Sequence, residues 1–245
     1  MHRSVLALAG LLLVGCGNHF KPELYPSPAA LFEAAKAAYD RGDCGGATIG
    51  FTRLTFELQT RDPRLAEAQY YLAECRFGSG EYLEASRAFR RVAEQFPAHE
   101  LAPTALMRAG DALAKLWRRP ELDPTYGEQA LSTYSEVLSR FPNSEAATLT
   151  RQKSAALTDK FAIKDLKNGD FYYRIGAYDS AIIYYRSVVS DYTQSKYAST
   201  ALMKLVQTYR RIGYAEEAAE TCDHLHRYYE GIEGLASLCP TPSAQ

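Results

Sequence analysis

Cysteine and histidine are the residues of this 245-residue chain to consider first for chemistry. Both side chains can bind metals, and cysteine can also form disulfides or accept covalent groups. Cys222 and His226 are four residues apart, which places them on one face of a helix, where they could bind a metal ion. No third ligand lies nearby in the sequence, and Cys222 also fits a packing position in a repeated pattern of helices. The sequence therefore predicts no metal site, and it suggests no cofactor.

Four cysteines could instead form disulfides, namely Cys44, Cys75, Cys222 and Cys239. Cys44 with Cys75 and Cys222 with Cys239 are each close enough in sequence to pair, provided that the chain is exported to an oxidising compartment. The second pair would fix the C-terminal tail to the last helix. The alternative is that all four are small buried side chains, and the spacing leaves both interpretations open.

Cys16 ends an apolar stretch that opens the chain, "VLALAGLLLVGC". The stretch is too short for a membrane-spanning helix, which needs roughly 20 apolar residues. Arg3, the short apolar run and the small residues at its end are typical of a secretory signal peptide. An ordinary signal peptide that happens to end near a cysteine is one interpretation.

The ending "LVGC" also resembles the bacterial lipoprotein signature. That resemblance implies cleavage before Cys16 and acylation of the new terminal residue, and two or more acyl chains would anchor the protein stably in a lipid bilayer. No Asp follows Cys16, which in such lipoproteins goes with export to the outer membrane. We therefore expect lipidation at Cys16.

Charge and motifs narrow the class of function. With 28 basic and 29 acidic residues the net charge is −1, so no field of one sign would attract nucleic acid. The chain has no glycine-rich phosphate loop, nucleophile elbow or metalloprotease helix motif. The sequence predicts a protein that is not an enzyme; an envelope enzyme whose site forms only in three dimensions is the alternative.

A pattern of small and large apolar residues occurs five times. In each copy an alanine is followed four residues later by an aromatic residue or cysteine, and three residues after that by an apolar residue, so all three share one helix face. The alanines are Ala47, Ala85, Ala130, Ala181 and Ala218; their partners are Phe51, Phe89, Tyr134, Tyr185 and Cys222; the third residues are Leu54, Val92, Val137, Val188 and Leu225.

Each of these helices follows another predicted helix, and the pairs resemble the tetratricopeptide repeat, a helix–turn–helix unit that stacks on its neighbours. The sequence thus predicts an all-α fold, an α-solenoid of about five tetratricopeptide-like helical hairpins. The spacing is irregular in two places. "WRRPELDPTY" predicts an inserted loop in the third repeat, and the proline-free run Ser144–Ile175 predicts an extended first helix in the fourth.

This pattern gives the expected domain organisation. It comprises a lipoprotein signal peptide (1–15), a lipid-anchored linker (16–27), a repeat solenoid (28–230, with repeats near 28–61, 62–98, 99–142, 143–193 and 194–230) and a C-terminal tail (231–245).

The first helices of the hairpins should line a concave surface. The predicted inward positions of the first two repeats are Phe32, Lys36, Tyr39, Tyr70, Glu74 and Phe77. Four aromatic rings with one positive and one negative charge would suit an extended peptide that carries aromatic side chains. Alternatively, the rings only fill the space between helices.

The second half of the chain carries a more specific resemblance. "FYYRIGAY", an "AI" pair, "DY" and "YRRIG" within Leu157–Gly213, together with "SRFPNSE", resemble the BamD family, the tetratricopeptide lipoproteins of the β-barrel assembly machine. The resemblance implies an outer-membrane lipoprotein of a Gram-negative bacterium that faces the periplasm. Its implied partners are the periplasmic domain of the β-barrel insertase, accessory lipoproteins of the same complex, and unfolded outer-membrane proteins.

Site residues follow from that resemblance position by position. In the family the first repeats are proposed to bind the aromatic-ended C-terminal signal of client proteins, and the last repeats meet the insertase partly through arginines. The matching residues for the insertase are Arg174, Tyr178 and Arg186. The other function that the repeats allow is a periplasmic tetratricopeptide coordinator of cell-envelope or peptidoglycan processes, although such proteins usually have an N-terminal coiled coil and no lipid anchor.

Overall fold

The computed structural model describes residues 20–229 and 231–240, and every regular element within them is helical. The predicted all-α class is therefore confirmed. Signal peptide residues 1–15 and Cys16 lie outside the described residues. Within the described part of the chain, no helix combines the length and apolar character needed to cross a membrane. The chain divides into two units, Met1–Cys75 and Arg76–Gln245.

The described part of the first unit contains a short 3₁₀ turn followed by three helices. The elements are the turn Pro22–Leu24, α1 (Pro28–Asp40), α2 (Cys44–Glu57) and α3 (Pro63–Gly78), the last of which ends in the second unit. Side-chain caps fix where α1 and α2 begin. Ser27 accepts a hydrogen bond from the Ala30 amide (3.2 Å), and Asp43 accepts one from the Gly46 amide (2.8 Å).

Glycines in α2 allow its neighbours to approach closely. A methyl group at Gly50 would lie 2.7 Å from Cβ of Ala35 on α1 and 3.0 Å from the Phe20 ring. Gly50 is thus required for this packing, even though glycine lowers intrinsic helix stability. The core of the first unit has at its centre the buried side chains of Leu31, Phe51 and Leu54.

The second unit contains the remaining helices, which are α4 (Tyr82–Gln95), α5 (Ala102–Leu116), α6 (Thr125–Arg140), α7 (Glu145–Arg174), α8 (Tyr178–Asp191), α9 (Ala198–Ile212), α10 (Ala215–Tyr228) and α11 (Leu235–Leu238). Each helix from α4 to α10 packs on the next one along the chain. In addition α5 packs on α7 and α7 on α9, so the first helices of successive hairpins lie side by side, as the repeat pattern predicts.

The repeated apolar positions are all buried. The five alanines and their aromatic or cysteine partners are each at most 8% exposed, and the third apolar residues are fully buried. Close approach is visible at two glycines on first helices. A methyl group at Gly110 would lie 2.5 Å from the Tyr134 ring, and one at Gly169 would lie 2.5 Å from the Tyr185 ring. The interpretation of these residues as the stacking face is confirmed.

Both predicted irregularities are present. α7 is 30 residues long, with Ser144 as its N-cap and Ile175 as its C-cap. The inserted loop, residues 117–124, connects α5 to α6 and is held by lysines spaced along α7. Lys160 donates to the Trp117 carbonyl, Lys164 donates to the Leu122 carbonyl (3.0 Å), and Lys167 pairs with Glu121. The loop therefore has a fixed position on the long helix.

Candidate functional site

Phe32, a predicted ligand-facing residue, is part of the core of the first unit. Its side chain is only 7% exposed, and its ring lies edge-on to Phe51 with 5.7 Å between ring centroids. For this residue the alternative interpretation is right, because α2 covers the face of α1 on which Phe32 lies. Phe32 is therefore removed from the proposed binding surface.

Lys36 and three tyrosines form a half-buried group on α1 and α3. We call Tyr39, Tyr70 and Tyr71 the tyrosine cluster. The Tyr71 ring lies 4.9 Å from the Tyr39 ring and 5.6 Å from the Tyr70 ring, and it stacks on core residue Phe51 at 5.2 Å. Tyr71, which sequence reasoning missed, thus connects the cluster to the core.

The ammonium of Lys36 lies 5.2 Å from the centre of the Tyr71 ring and forms an ion pair with Asp40 (2.5 Å). The hydrogen bond to Asp40 raises the pKa of Lys36 above its usual value. Burial raises the pKa of Tyr71, although the nearby ammonium acts in the opposite direction. The cluster therefore presents aromatic surface beside a fixed positive charge.

The remaining two predicted groove residues lie further along α3. Glu74 is half-buried in the first unit, whereas Phe77 belongs to the second unit. The Phe77 ring lies 5.2 Å from the Tyr82 ring, and the Arg108 guanidinium lies 4.1 Å from its centre. Within the second unit Phe77 thus forms part of a different surface.

That surface is a cleft of about 540 Å³ between first helices α5 and α7, which we call the basic cleft. Its lining combines cations with apolar side chains, and the residues are Phe77, Arg108, Asp111, Ala114, Lys115, Tyr134, Lys153, Ala156, Leu157 and Lys160. Apart from Phe77, sequence reasoning assigned none of these to ligand binding. The cations of α5 and α7 are dozens of residues apart in the chain, and only the packing of α5 on α7 brings them together.

A buried carboxylate organises one end of the basic cleft. Asp111 accepts a hydrogen bond from the Tyr134 hydroxyl (2.8 Å) and ion pairs from Arg108 (3.2 Å) and Lys153 (2.9 Å). Burial, together with the adjacent Asp111 charge, raises the pKa of Tyr134 far above its usual range. The network joins α5, α6 and α7, and the negative charge of Asp111 is balanced by side chains of the protein itself.

The predicted insertase-binding residues lie on α7 and α8. Arg174 is exposed at the end of α7, and Tyr178 begins α8, where its hydroxyl accepts a hydrogen bond from Arg211 (3.1 Å). Arg186 is eight residues further along α8, about 12 Å at 1.5 Å per residue, and donates to the Tyr209 hydroxyl (2.8 Å). Arg174 and Tyr178 thus share one turn, while Arg186 lies apart from it.

Exposed apolar residues precede and follow Arg174 in the chain. Phe171 is 49% exposed and Ile175 is 60% exposed, and the Phe171 ring lies edge-on to Tyr172 at 5.4 Å. Tyr172 in turn stacks on Tyr184 of α8. We call Phe171, Tyr172, Arg174 and Ile175 the α7-end patch. Exposed aromatic and aliphatic groups around an arginine are the usual composition of a protein-binding surface.

The cysteines and His226 have structural partners. Disulfides join Cys44 to Cys75 (5.3 Å between Cα atoms) and Cys222 to Cys239 (5.5 Å), which are the two pairings that the sequence spacing allowed. His226 Nε2 lies 2.7 Å from the Cys239 carbonyl oxygen. In residues 20–229 and 231–240 no three metal-binding side chains come together. Cys222 and His226 both hold the C-terminal segment against α10.

The family model described as "YfiO: Outer membrane lipoprotein" matches residues 26–225, most of the described chain. The chain belongs to the YfiO family of outer membrane lipoproteins. The match spans α1 to α9 and nearly all of α10, so the tyrosine cluster, the basic cleft and the α7-end patch all lie within the YfiO region.

Curated YfiO relatives carry the name "Outer membrane protein assembly factor BamD", which confirms the family that the sequence resembles. The Caulobacter vibrioides protein is 34% identical over 96 residues, 39% of this chain and 32% of that protein. The Xylella fastidiosa (Temecula1) protein is 24% identical over 222 residues, 86% of this chain and 75% of the relative. The Rickettsia prowazekii protein is 23% identical over 88% of this chain and 86% of its own length.

The solved structures that match this chain include tetratricopeptide-repeat proteins. A TPR-repeat protein from Bacteroides fragilis has a TM-score of 0.46 and 16% identity, covering 87% of this chain and 92% of that chain. A thermophilic TPR protein from Thermus thermophilus has a TM-score of 0.39 and 19% identity, covering 86% and 98% of the two chains.

Proposed function

We propose that this chain acts in outer membrane protein assembly, as a non-enzymatic scaffold that holds unfolded clients close to the β-barrel insertase. Membership of the YfiO family over residues 26–225 is the observation that carries the proposal. Relatives named as outer membrane protein assembly factors, matched along 75% and 86% of their own lengths, support it.

Client binding is assigned to the tyrosine cluster with Lys36. Half-buried tyrosines offer apolar area with little loss of side-chain entropy on binding. The Lys36 ammonium, which is paired with Asp40, adds a polar group beside the Tyr71 ring at the edge of this surface. These properties suit an unfolded segment with aromatic side chains better than a small polar ligand.

Insertase binding is assigned to the α7-end patch with Tyr178. Arg174 is the last residue of α7, and exposed Phe171 and Ile175 lie in the same short segment, so a partner that covers this segment would contact all three residues. Arginine and aromatic residues often contribute most of the binding energy at a protein–protein interface. Arg186 contributes to the same partner from a separate position on α8, and accessory lipoproteins join the same complex.

Membrane attachment is assigned to Cys16. Its acylation would place the chain on the periplasmic face of the outer membrane, as a lipid-anchored protein of a Gram-negative bacterium. The short linker that follows would keep the repeats close to the bilayer. A Cys16→Ser variant should remain unprocessed and should be lost from the outer-membrane fraction.

The experiment is a chemical crosslink in intact envelopes, followed by purification of the chain with Cys16 present. We expect recovery of a large β-barrel protein with periplasmic domains. Arg174→Glu should reduce that recovery at least five-fold, whereas Arg91→Glu, a matched charge reversal on α4, should leave it unchanged.

One result would contradict the proposal as a whole, and another would contradict only the assignment of the α7-end patch. Recovery of peptidoglycan synthases in place of a β-barrel protein would favour a coordinator of envelope processes. Equal recovery of the β-barrel protein with wild type and Arg174→Glu would remove the α7-end patch from the interface while leaving the role in assembly intact.

A further inference from the structure

The lining of the basic cleft contains four cationic side chains, and the carboxylate of Asp111 cannot balance all of them. Arg108 and Lys153 at one end both contact Asp111, and the Tyr134 hydroxyl donates to the same carboxylate. Asp111 is 8% exposed and therefore has little capacity for an external ligand. That end of the cleft is neutralised within the protein.

The other end has two lysines without such a partner. Lys115 and Lys160 each follow the first pair of cations by seven residues, on α5 and α7 respectively, which is about 10 Å along a helix. Lys160 donates to the Trp117 carbonyl and lies 4.5 Å from the centre of the Trp117 ring. Across the described residues no carboxylate lies within ion-pair distance of either ammonium. Two lysines that line the same cleft favour an anionic ligand.

Apolar side chains lie between the two ends. Leu157 is buried in the floor, Ala114 and Ala156 flank it, and the Phe77 ring lies at the Arg108 end. Leu157 is three residues, roughly one helical turn or 5 Å, from Lys160. A ligand that contacts both the two lysines and the apolar lining must therefore carry a carboxylate and an apolar group a short distance apart.

We propose that the basic cleft binds an extended peptide segment in which an acidic side chain lies two residues from an aromatic or aliphatic side chain. The carboxylate pairs with Lys115 and Lys160, and the apolar side chain packs on Leu157 and Phe77. In an extended chain, residues two apart point to the same side and are about 6.7 Å apart, which matches this arrangement. The ligand is an internal segment of a chain.

This inference rests on the proposed function, because an unfolded client is the source of extended segments. It assigns clients a second contact surface, which lies in the second unit and differs in chemistry from the tyrosine cluster. A client that reaches both surfaces would gain affinity without stronger individual contacts.

The test measures peptide binding to the mature chain by titration calorimetry. The probe is the heptapeptide Ser-Gly-Glu-Ser-Phe-Ser-Gly, acetylated and amidated so that its only charge is the Glu side chain. We expect saturable binding that weakens at least ten-fold when Glu is replaced by Gln, and at least five-fold when Phe is replaced by Ser.

Protein variants locate the binding site. Lys115 is exposed, so Lys115→Glu should fold normally, and it should weaken binding of the probe at least ten-fold. Lys115→Gln should give a smaller loss in the same direction. Arg91→Glu, the matched charge reversal on α4, should change affinity less than two-fold.

Three outcomes would overturn the inference. They are equal binding of the Glu and Gln probes, unchanged binding by Lys115→Glu, and binding of a Gln probe only when its C-terminal carboxylate is free, which would indicate a terminal-carboxylate site. A urea-unfolded β-barrel protein, diluted into the same titration, separates the two proposals. If wild type binds it and Lys115→Glu binds it equally, only the cleft assignment fails; if wild type does not bind it, client binding itself fails.

Discussion

At the residue scale, stability depends on tight contacts between glycines of one helix and tyrosines of the next. Tyr134 packs on Gly110 and Tyr185 packs on Gly169, in both cases within a distance that leaves no room for a methyl group. Each tyrosine also donates a hydrogen bond to a carboxylate, Asp111 or Asp170. Each of these two tyrosines thus combines close packing against a glycine with a hydrogen bond to a carboxylate.

Gly169→Ala should destabilise the second unit by about 1–3 kcal/mol, because the new methyl group forces the buried Tyr185 ring away from its place. The matched control is Gly78→Ala at the end of α3, where nothing lies within 4 Å of the added atom. There the change should be neutral or stabilising by up to about 1 kcal/mol. Urea unfolding of both variants would measure the difference, and equal effects would contradict this packing.

Alkaline pH should destabilise the fold through Tyr134. Burial and the Asp111 charge raise its pKa in the folded state above the ordinary value of 10.0, so the tyrosine stays protonated when folded and ionises when unfolded. Its contribution to stability is complete below pH 10 and is lost as pH rises beyond that value, by about 1.4 kcal/mol per pH unit.

Tyr134→Phe tests this linkage. Phenylalanine does not ionise, so the free energy of unfolding of the variant should fall less steeply between pH 10 and pH 11 than that of wild type. Urea titrations at each pH provide the two slopes. Tyr126→Phe, which alters a tyrosine outside this hydrogen-bond network, is the control; parallel slopes for Tyr134→Phe and wild type would show that Tyr134 is not held protonated.

At the scale of elements, the repeat pattern was sufficient to locate the second helices, the inserted loop and the long helix α7. These features depend on local spacing, on prolines and on apolar periodicity, all of which are visible in the sequence. The position of the loop was not predictable. Lys160, Lys164 and Lys167 look like a solvated helix face, and two of them bind backbone carbonyls whose direction no sequence pattern encodes.

Phe32 shows a second reason why sequence reasoning was incomplete. Its position on a first helix predicted a ligand-facing ring, but the same face of α1 packs on Phe51 of α2. The basic cleft was missed for a related reason, since Arg108 and Lys153 are 45 residues apart in the chain and both pair with Asp111 in the fold. Contacts between consecutive helices α1 and α2 decided the first case, and contacts between non-consecutive helices α5 and α7 decided the second.

The C-terminal segment should depend on the Cys222–Cys239 disulfide. The bridge closes a loop with a sequence separation of 17, for which the chain-entropy estimate is roughly 3 kcal/mol. Replacing both cysteines with serine, while Cys44–Cys75 stays oxidised, should lower the free energy of unfolding of the second unit by about that amount. Urea unfolding measures it, and hydrogen exchange should rise first in α10 and α11.

A loss below 1 kcal/mol would mean that Leu235 and the His226 contact to Cys239 hold the segment without the bridge. His226→Ala in the oxidised protein separates these contributions. If the disulfide dominates, this variant should show a smaller loss than the double serine variant.

At the scale of the whole molecule, three surfaces of different chemistry lie mainly on the first helices of the hairpins. The tyrosine cluster is aromatic with one cation, the basic cleft is cationic with an apolar floor, and the α7-end patch is apolar around an arginine. Such a set suits a scaffold that contacts several partners at once. None of the three resembles an arrangement of nucleophile, base and oxyanion donors.

Depletion of the chain from its native cell tests the central claim most directly. The quantity to measure is the amount of folded, heat-modifiable β-barrel protein in the outer membrane, with a wild-type copy as the restoring control. We predict that folded β-barrel proteins decline as the chain is depleted, while inner-membrane proteins keep their levels. Unchanged amounts of folded β-barrel protein in cells that lack the chain would contradict the account.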